Sequence, residues 1–255
     1  MKEQTRVVKC AAPVYKKGTN GKAVMIIHGY TGYPGPFYEM GELLHSVGYT
    51  INLVRLPGHG TNRRDYKKTS WRDWLNHARN VYMDLEVGHD SVLIIGHSMG
   101  GVLALILASR FNPEKVCLLA PGMSVPNRLF YMTPFLKFIL PSISGEWVPE
   151  EGDDEDRRHL GCEYWSIRIT RQVAGVYKLM RIARRGLGLV DSPLLLMLSE
   201  LDETISSPKV EAIIAGGVKS PIEKVILKNS PHGFTEGPEK DFVHDEVIRW
   251  FSSPT

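Results

Sequence analysis

Ser91-Val92-Leu93-Ile94-Ile95-Gly96-His97-Ser98-Met99-Gly100-Gly101 is the stretch whose reading decides the fold. Residues 92–95 are a continuous apolar run, which suits a strand covered on both faces of a parallel sheet. After Gly101 the chain reads Val102-Leu103-Ala104-Leu105-Ile106-Leu107-Ala108, a strong helix former with little polarity. Between strand and helix sits Gly96-x-Ser98-x-Gly100. A non-glycine residue in so tight a strand-to-helix turn is strained, and only small neighbours leave room for it. Its hydroxyl is then held above the sheet at a helix N-terminus. An ordinary N-cap serine between glycines is the simpler alternative. About 0.1 chance matches to the pattern are expected in a chain of this length, and the strand before and helix after are the context a nucleophile needs. Ser98 is read as that nucleophile.

Working outward toward the N-terminus, Ala23-Val24-Met25-Ile26-Ile27 reads as a second buried strand, ending in His28-Gly29-Tyr30-Thr31-Gly32. Glycines directly after a strand let the backbone bend and leave N–H groups free, where an oxyanion needs donors. Residues 5–16 read as one or two short edge strands. Residues 37–47 have helical spacing, and residues 50–56 form the next strand, closed by the turn Pro57-Gly58-His59-Gly60. Ser70 opens a helix to about Leu85, with Asp73 at the third helical position, close to a capping box. Residues 116–120 are a further buried strand.

Between residues 123 and 188 no buried strand is expected. Apolar and aromatic runs at residues 129–132 and 135–140 are broken by Pro134 and Pro141, and an acidic loop spans residues 150–156. A helix then carries Arg168, Arg171, Lys178, Arg181 and Arg185 on one face and Ile169, Val173, Val176 and Met180 on another. A basic amphipathic helix suits a membrane surface, but a solvated face balanced by the acidic loop is the preferred reading. Strand sequence returns at residues 194–198, followed by a helix at 207–215, a last strand at 224–227 and a terminal helix at 242–251. This alternation gives an α/β fold with a mainly parallel sheet and helices on both faces. Residues 1–122 and 189–255 form the core, and residues 123–188 a helical cap inserted over the carboxyl edge of the strands, where ligands bind in such folds.

The 255 residues suffice for one such domain with an insertion. A net charge of +3 argues for no obligatory nucleic-acid partner. No apolar run reaches the length of a membrane span, and Met1-Lys2-Glu3-Gln4-Thr5-Arg6 lacks the apolar stretch of a signal peptide. Cys10, Cys117 and Cys162 are widely spaced, without metal-site spacing, and read as free thiols in a reducing, cytoplasmic compartment. No metal and no cofactor is expected.

A serine hydroxyl is a poor nucleophile near neutral pH unless a base lies within reach and a third group orients that base. Of nine histidines, His28, His59 and His97 sit in or beside glycine turns. His45, His77, His89 and His159 fall in helices or surface stretches, and His244 faces a polar neighbourhood in the terminal helix. His232, in the loop Asn229-Ser230-Pro231-His232-Gly233 after the last strand, is the best base. The acid belongs after the preceding strand, where Asp202 is preferred over Glu200 and Glu203.

The order Ser98, Asp202, His232 is that of the α/β-hydrolase fold, and the chain resembles that superfamily along nearly its whole length. Within it the small bacterial carboxylesterases and monoacylglycerol lipases look most similar. The resemblance rests on residues 28–32, Leu56-Pro57-Gly58-His59-Gly60, residues 96–101, Leu201-Asp202 and His232. It implies an oxyanion hole made by the backbone N–H groups of Tyr30 and Met99, whose side chains line an acyl pocket. One departure is Ser230-Pro231-His232, where the family commonly has Ser-Gly-His; proline holds Ser230 extended and bears on the base's approach. The expected activity is hydrolysis of carboxylic esters, with a monoacylglycerol or short- to medium-chain ester as substrate. A feruloyl or other aromatic esterase, a C–C bond hydrolase on the same triad, and a binding protein on a hydrolase scaffold are the alternatives. Oligomeric state is left open.

Overall fold

The computed structural model describes residues 6–145, 147–149 and 152–254. Its centre is the strand β4 (Ser91–His97), flanked on both sides by parallel neighbours. Seven strands form one sheet in the order β1 (Val14–Lys16), β3 (Thr50–Val54), β2 (Lys22–Ile27), β4, β5 (Val116–Leu119), β8 (Leu194–Ser199) and β9 (Ile222–Leu227). All pairs are parallel except β1 with β3. Parallel strands need covering on both faces, and the apolar runs at β2, β4, β5 and β8 are buried almost throughout.

Helix α1 (Tyr38–Ser46) follows β2, and α2 (Arg63–Lys68) and α3 (Trp71–Gly88) follow β3. The carboxylate of Asp73 accepts from the Ser70 N–H at 2.8 Å and from the Ser70 hydroxyl at 2.7 Å, fixing the start of α3. Helix α4 (Met99–Phe111) is apolar all round, and residues 99–108 are all buried. A helix with no polar face must be enclosed. The sheet covers it on one side, and α7 (Thr170–Gly186) packs along another.

Between β5 and β8 come α5 (Arg128–Leu136), β6 (Ser142–Ser144), α6 (Glu155–Leu160), a π-turn over Gly161–Trp165, β7 (Ile167–Ile169) and α7. Pro134 lies inside α5 and offers no N–H to the Phe130 carbonyl. The Thr133 hydroxyl donates to that carbonyl instead, at 2.6 Å. Helices α8 (Ser207–Ala215) and α9 (Lys240–Ser252) complete the chain.

Several expectations need correction. Of residues 5–16 only Val14–Lys16 is a strand; Lys9–Ala11 is a 3-10 turn, and residue 5 lies outside the described residues. The inserted segment holds a short antiparallel pair, β6 with β7, too brief and too exposed to leave a buried-strand pattern. Arg168 lies on β7, because the following helix starts only at Thr170. Asp153 pairs with Arg157 at 2.7 Å rather than with the basic face of α7; Glu150 and Glu151 lie outside the described residues. His244 does face polar groups, its ring nitrogen and the carboxylates of Glu39 and Asp241 lying within 4.8 Å of one another, and its side chain is buried.

Candidate active site

The turn after β4 is built on close approach. Ser98 has φ 52° and ψ −114°, a conformation that non-glycine residues rarely adopt. It is held by its own backbone: the Ser98 N–H donates to the Leu119 carbonyl, and the Gly122 N–H donates to the Ser98 carbonyl, both at 2.9 Å. A Cβ on Gly100 would lie 2.0 Å from the Ile27 carbonyl oxygen, and one on Gly96 2.5 Å from the Gly100 oxygen. The two glycines let β2, β4 and α4 converge, which raises the Ser98 side chain at the carboxyl edge of the sheet. On Gly29 a Cβ would meet the Ser98 Cβ at 3.1 Å, so the loop after β2 passes directly beside the serine.

His232 reaches Asp202 as the sequence suggests: Nδ1 lies 2.6 Å from Oδ2. The Asp202 side chain is fully enclosed. Its other oxygen accepts from the N–H groups of Thr204 and Ile205, at 2.8 and 2.9 Å. The carboxylate is thus fixed by its own loop, and donation from Nδ1–H leaves Nε2 as the basic nitrogen. Among the described residues neither Glu200 nor Glu203 is bonded to His232; Glu203 lines the cavity instead.

Pro231 does not pull His232 away from Asp202. The loop is clamped from behind: the Ser230 hydroxyl donates to Glu239 at 2.7 Å, and the N–H groups of Lys228 and Asn229 donate to the same carboxylate. These bonds hold the Glu239 carboxyl below its ordinary pKa. The Ser199 hydroxyl donates to the Ser230 carbonyl. His97 supplies a further tie, since its Nε2–H donates to the His232 carbonyl at 3.0 Å, with the two rings 4.9 Å apart. Burial lowers the His97 pKa to about 3, so the ring is neutral.

Tyr30 and Met99 flank Ser98 from the two loops. Among the described residues neither backbone N–H has a protein acceptor, which leaves both free for an oxyanion. The loop carrying Tyr30 is braced from both sides. His28 accepts the Leu56 N–H on Nε2 at 3.1 Å and donates from Nδ1 to the Gly29 carbonyl at 2.9 Å. Burial lowers its pKa to about 4. Thr31 takes φ 53°, and its carbonyl accepts from the indole N–H of Trp165 at 3.2 Å.

Two cavities meet at Ser98 and His232. The larger, about 820 Å³, is lined by Val125, Phe130, Val173, Val176 and Ile205, together with Tyr30 and Met99. The smaller, about 280 Å³, has Tyr33 and Phe37 together with Thr235, Arg157 and Glu236. Trp165 and Tyr30 line both. Arg157 from α6 and Glu236 from the loop after His232 approach to 3.6 Å at the smaller cavity. Sequence reasoning missed Trp165, Glu239 and the tying role of His97. Trp165 lies in a π-turn with no periodicity to flag it. His97 was visible beside Ser98, but nothing local revealed its partner 135 positions away.

A model of the alpha/beta hydrolase family matches residues 24–245. The chain is 28% identical to a thermostable monoacylglycerol lipase of Bacillus sp. (strain H-257), over 99% of this chain and 98% of that one. It is 23% identical to a carboxylesterase of Bacillus subtilis (strain 168), covering 90% and 92% respectively. A solved structure of the metagenome-derived lipolytic enzymes LipS and LipT superposes with a TM-score of 0.85 at 22% identity, covering 96% of this chain and 98% of the other.

Proposed function

The chain belongs to the alpha/beta hydrolase family, and we propose that it hydrolyses carboxylic esters through an acyl-enzyme on Ser98. The observation that carries this reading is the 2.6 Å contact between His232 and an enclosed Asp202, beside a strained serine that shares both cavities with the histidine. The relatives named as a monoacylglycerol lipase and a carboxylesterase support the same reaction.

In this mechanism Ser98 Oγ attacks the ester carbonyl and His232 Nε2 takes its proton. Asp202 holds the ring in the required tautomer and stabilises the imidazolium. The N–H groups of Tyr30 and Met99 receive the oxyanion; losing one such donor typically costs ~10²–10³ in rate. His232 then protonates the leaving alcohol. Water, activated by the same nitrogen, attacks the acyl-enzyme and frees the carboxylic acid and Ser98.

Residues 123–188 act as the cap. Their apolar side chains Val125, Phe130, Val173 and Val176 suit an aliphatic acyl chain in the larger cavity. The smaller cavity, with Thr235, Arg157 and Glu236, suits a compact hydroxylated alcohol such as glycerol. A monoacylglycerol or a short- to medium-chain ester is therefore the substrate class. Cytoplasmic location belongs to the same proposal and rests on three unpaired cysteines. Among the described residues no helix is long and apolar enough to cross a membrane.

The test is a p-nitrophenyl ester series from acetate to palmitate, with a monoacylglycerol, the methyl ester of the same acid and methyl ferulate alongside. A maximum at intermediate chain length, preference for the glycerol ester, and loss of all activity in Ser98→Ala are expected. Inactivity on every ester would overturn the proposal. Preference for ferulate would move the substrate class to aromatic esters.

A further inference from the structure

The segment 129–143 exposes large apolar side chains to a degree that a self-contained fold does not require. Phe135 is 75% exposed, Phe138 81% and Ile139 84%, with Leu129, Met132 and Leu140 also exposed. Single exposed apolar residues are ordinary, but a contiguous ridge marks a surface that meets something. Beside the ridge runs a groove of about 370 Å³ between α5, α7 and the start of α3. Its lining includes Arg72, Lys137, Arg171, Lys178 and Arg181, and no carboxylate. Among the described residues none of these five cations is in an ion pair. Arg72 lies over the Trp71 ring at 4.6 Å, Arg181 over Tyr177 at 5.9 Å and Lys137 over Phe138 at 4.8 Å. Ridge and groove are one feature, because Pro134 and Lys137 form a wall of the groove.

We propose that this ridge and groove together dock on a bilayer bearing anionic phospholipid headgroups. The apolar side chains enter the boundary between headgroups and acyl chains, and the cations meet the phosphate layer above it. Charge complementarity selects this occupant: five cations that form no ion pair among the described residues call for a dense anionic surface, and the adjoining aromatic and aliphatic side chains call for hydrocarbon. With a net charge of only +3 for the whole chain, the attraction is local to this face. The surface also adjoins the site. Phe130, on the same helix α5, lines the larger cavity, so a docked molecule presents that cavity close to the lipid. Among the described residues, Asp153 of the acidic loop pairs with Arg157 and not with α7.

The experiment is co-sedimentation of the full chain with phosphatidylcholine vesicles, with and without phosphatidylglycerol, at low and high salt. Ser98→Ala is included so that lipid turnover and the fate of the proposed chemistry do not enter the readout. Binding is expected to vesicles with phosphatidylglycerol and to weaken with salt. Each surface cation contributes roughly fivefold to partitioning, so Lys178→Glu with Arg181→Glu, which removes two positive charges and adds two negative ones, is expected to weaken binding by at least about twenty-five-fold. Phe135→Ser with Phe138→Ser is expected to abolish it. Both double variants, made also in the chain that retains Ser98, keep hydrolysis of a soluble p-nitrophenyl ester at the unsubstituted chain's rate, which shows that they fold. Equal binding to both vesicle types, or binding unaffected by the charge reversals, would overturn the proposal. So would a dimer that Phe135→Ser with Phe138→Ser dissolves without any vesicle binding, since the ridge would then belong to a second copy.

Discussion

The same chemical change, glycine to alanine, is expected to act in opposite directions at two positions of this chain. At Gly100 the new methyl would sit 2.0 Å from the Ile27 carbonyl oxygen and 2.7 Å from its carbon, with the His28 oxygen also at 2.7 Å. All three are main-chain atoms. Ile27 is held in register with Val54 on one side and Gly96 on the other, so β2 cannot yield alone. Overpacking against rigid neighbours costs about 3 kcal/mol or more, which lowers Tm by roughly 6–12 °C in a chain of this size. The displaced loop also carries Tyr30, so kcat is expected to fall about a hundredfold, as a misplacement near 1 Å commonly causes. At Gly88, the last residue of α3, a Cβ meets nothing within 4 Å. Alanine there gains about 0.5–1 kcal/mol, raising Tm by roughly 1–4 °C and leaving kcat unchanged. Differential scanning calorimetry and ester hydrolysis on the two variants measure both effects. If Gly100→Ala were as stable and as active as the parent, the close approach of β2 and α4 would not be what positions Ser98.

Asp202→Asn is expected to lower kcat by ~10³–10⁴ with little change in Tm, because an amide oxygen still accepts the Thr204 and Ile205 N–H groups; paired kinetic and melting measurements check both halves. Acid should destabilise the fold steeply. Burial lowers the pKa of His28 to about 4, that of His97 to about 3 and that of His59 well below its ordinary value. The unfolded chain therefore binds more protons below pH 6.5, and stability, complete above that pH, is lost as pH falls toward 4. Denaturant midpoints across this window are expected to give a slope near 4 kcal/mol per pH unit, reduced by about one quarter to one third in His97→Gln. Trp165→Ala removes a side chain that lines both cavities and the donor to the Thr31 carbonyl. A p-nitrophenyl ester series is expected to show a broadened chain-length profile together with a lower kcat.

Buried parallel strands write themselves plainly into a sequence, because both faces demand apolar residues. That is why β2, β4, β5 and β8 were legible, along with the glycine-bounded turn at Ser98 and the serine start of α3. Asp202 and His232 followed from element order, since strand ends on one edge of a parallel sheet face the same space. The inserted segment was harder to read. Pro134 suggests a break, yet the Thr133 hydroxyl satisfies the carbonyl the proline leaves free, and α5 continues. The short strands β6 and β7 bury too little to carry a pattern. Distant ties such as Trp165 to Thr31 or His97 to His232 leave no local mark at all. The buried setting of His244 was missed for a related reason: its helix face is decided by α1, which packs on α9.

The central claim is a covalent acyl-enzyme on Ser98. It is tested most directly by mixing the protein with p-nitrophenyl butyrate, quenching in acid within the first turnovers, and locating the butyryl group by peptide mass spectrometry. The expected result is butyrylation of the peptide carrying Ser98, accumulating further in His232→Gln if any acylation persists there, and absent in Ser98→Ala along with all hydrolysis. Hydrolysis that survives Ser98→Ala, or a butyryl group found on another residue with full turnover, would contradict it.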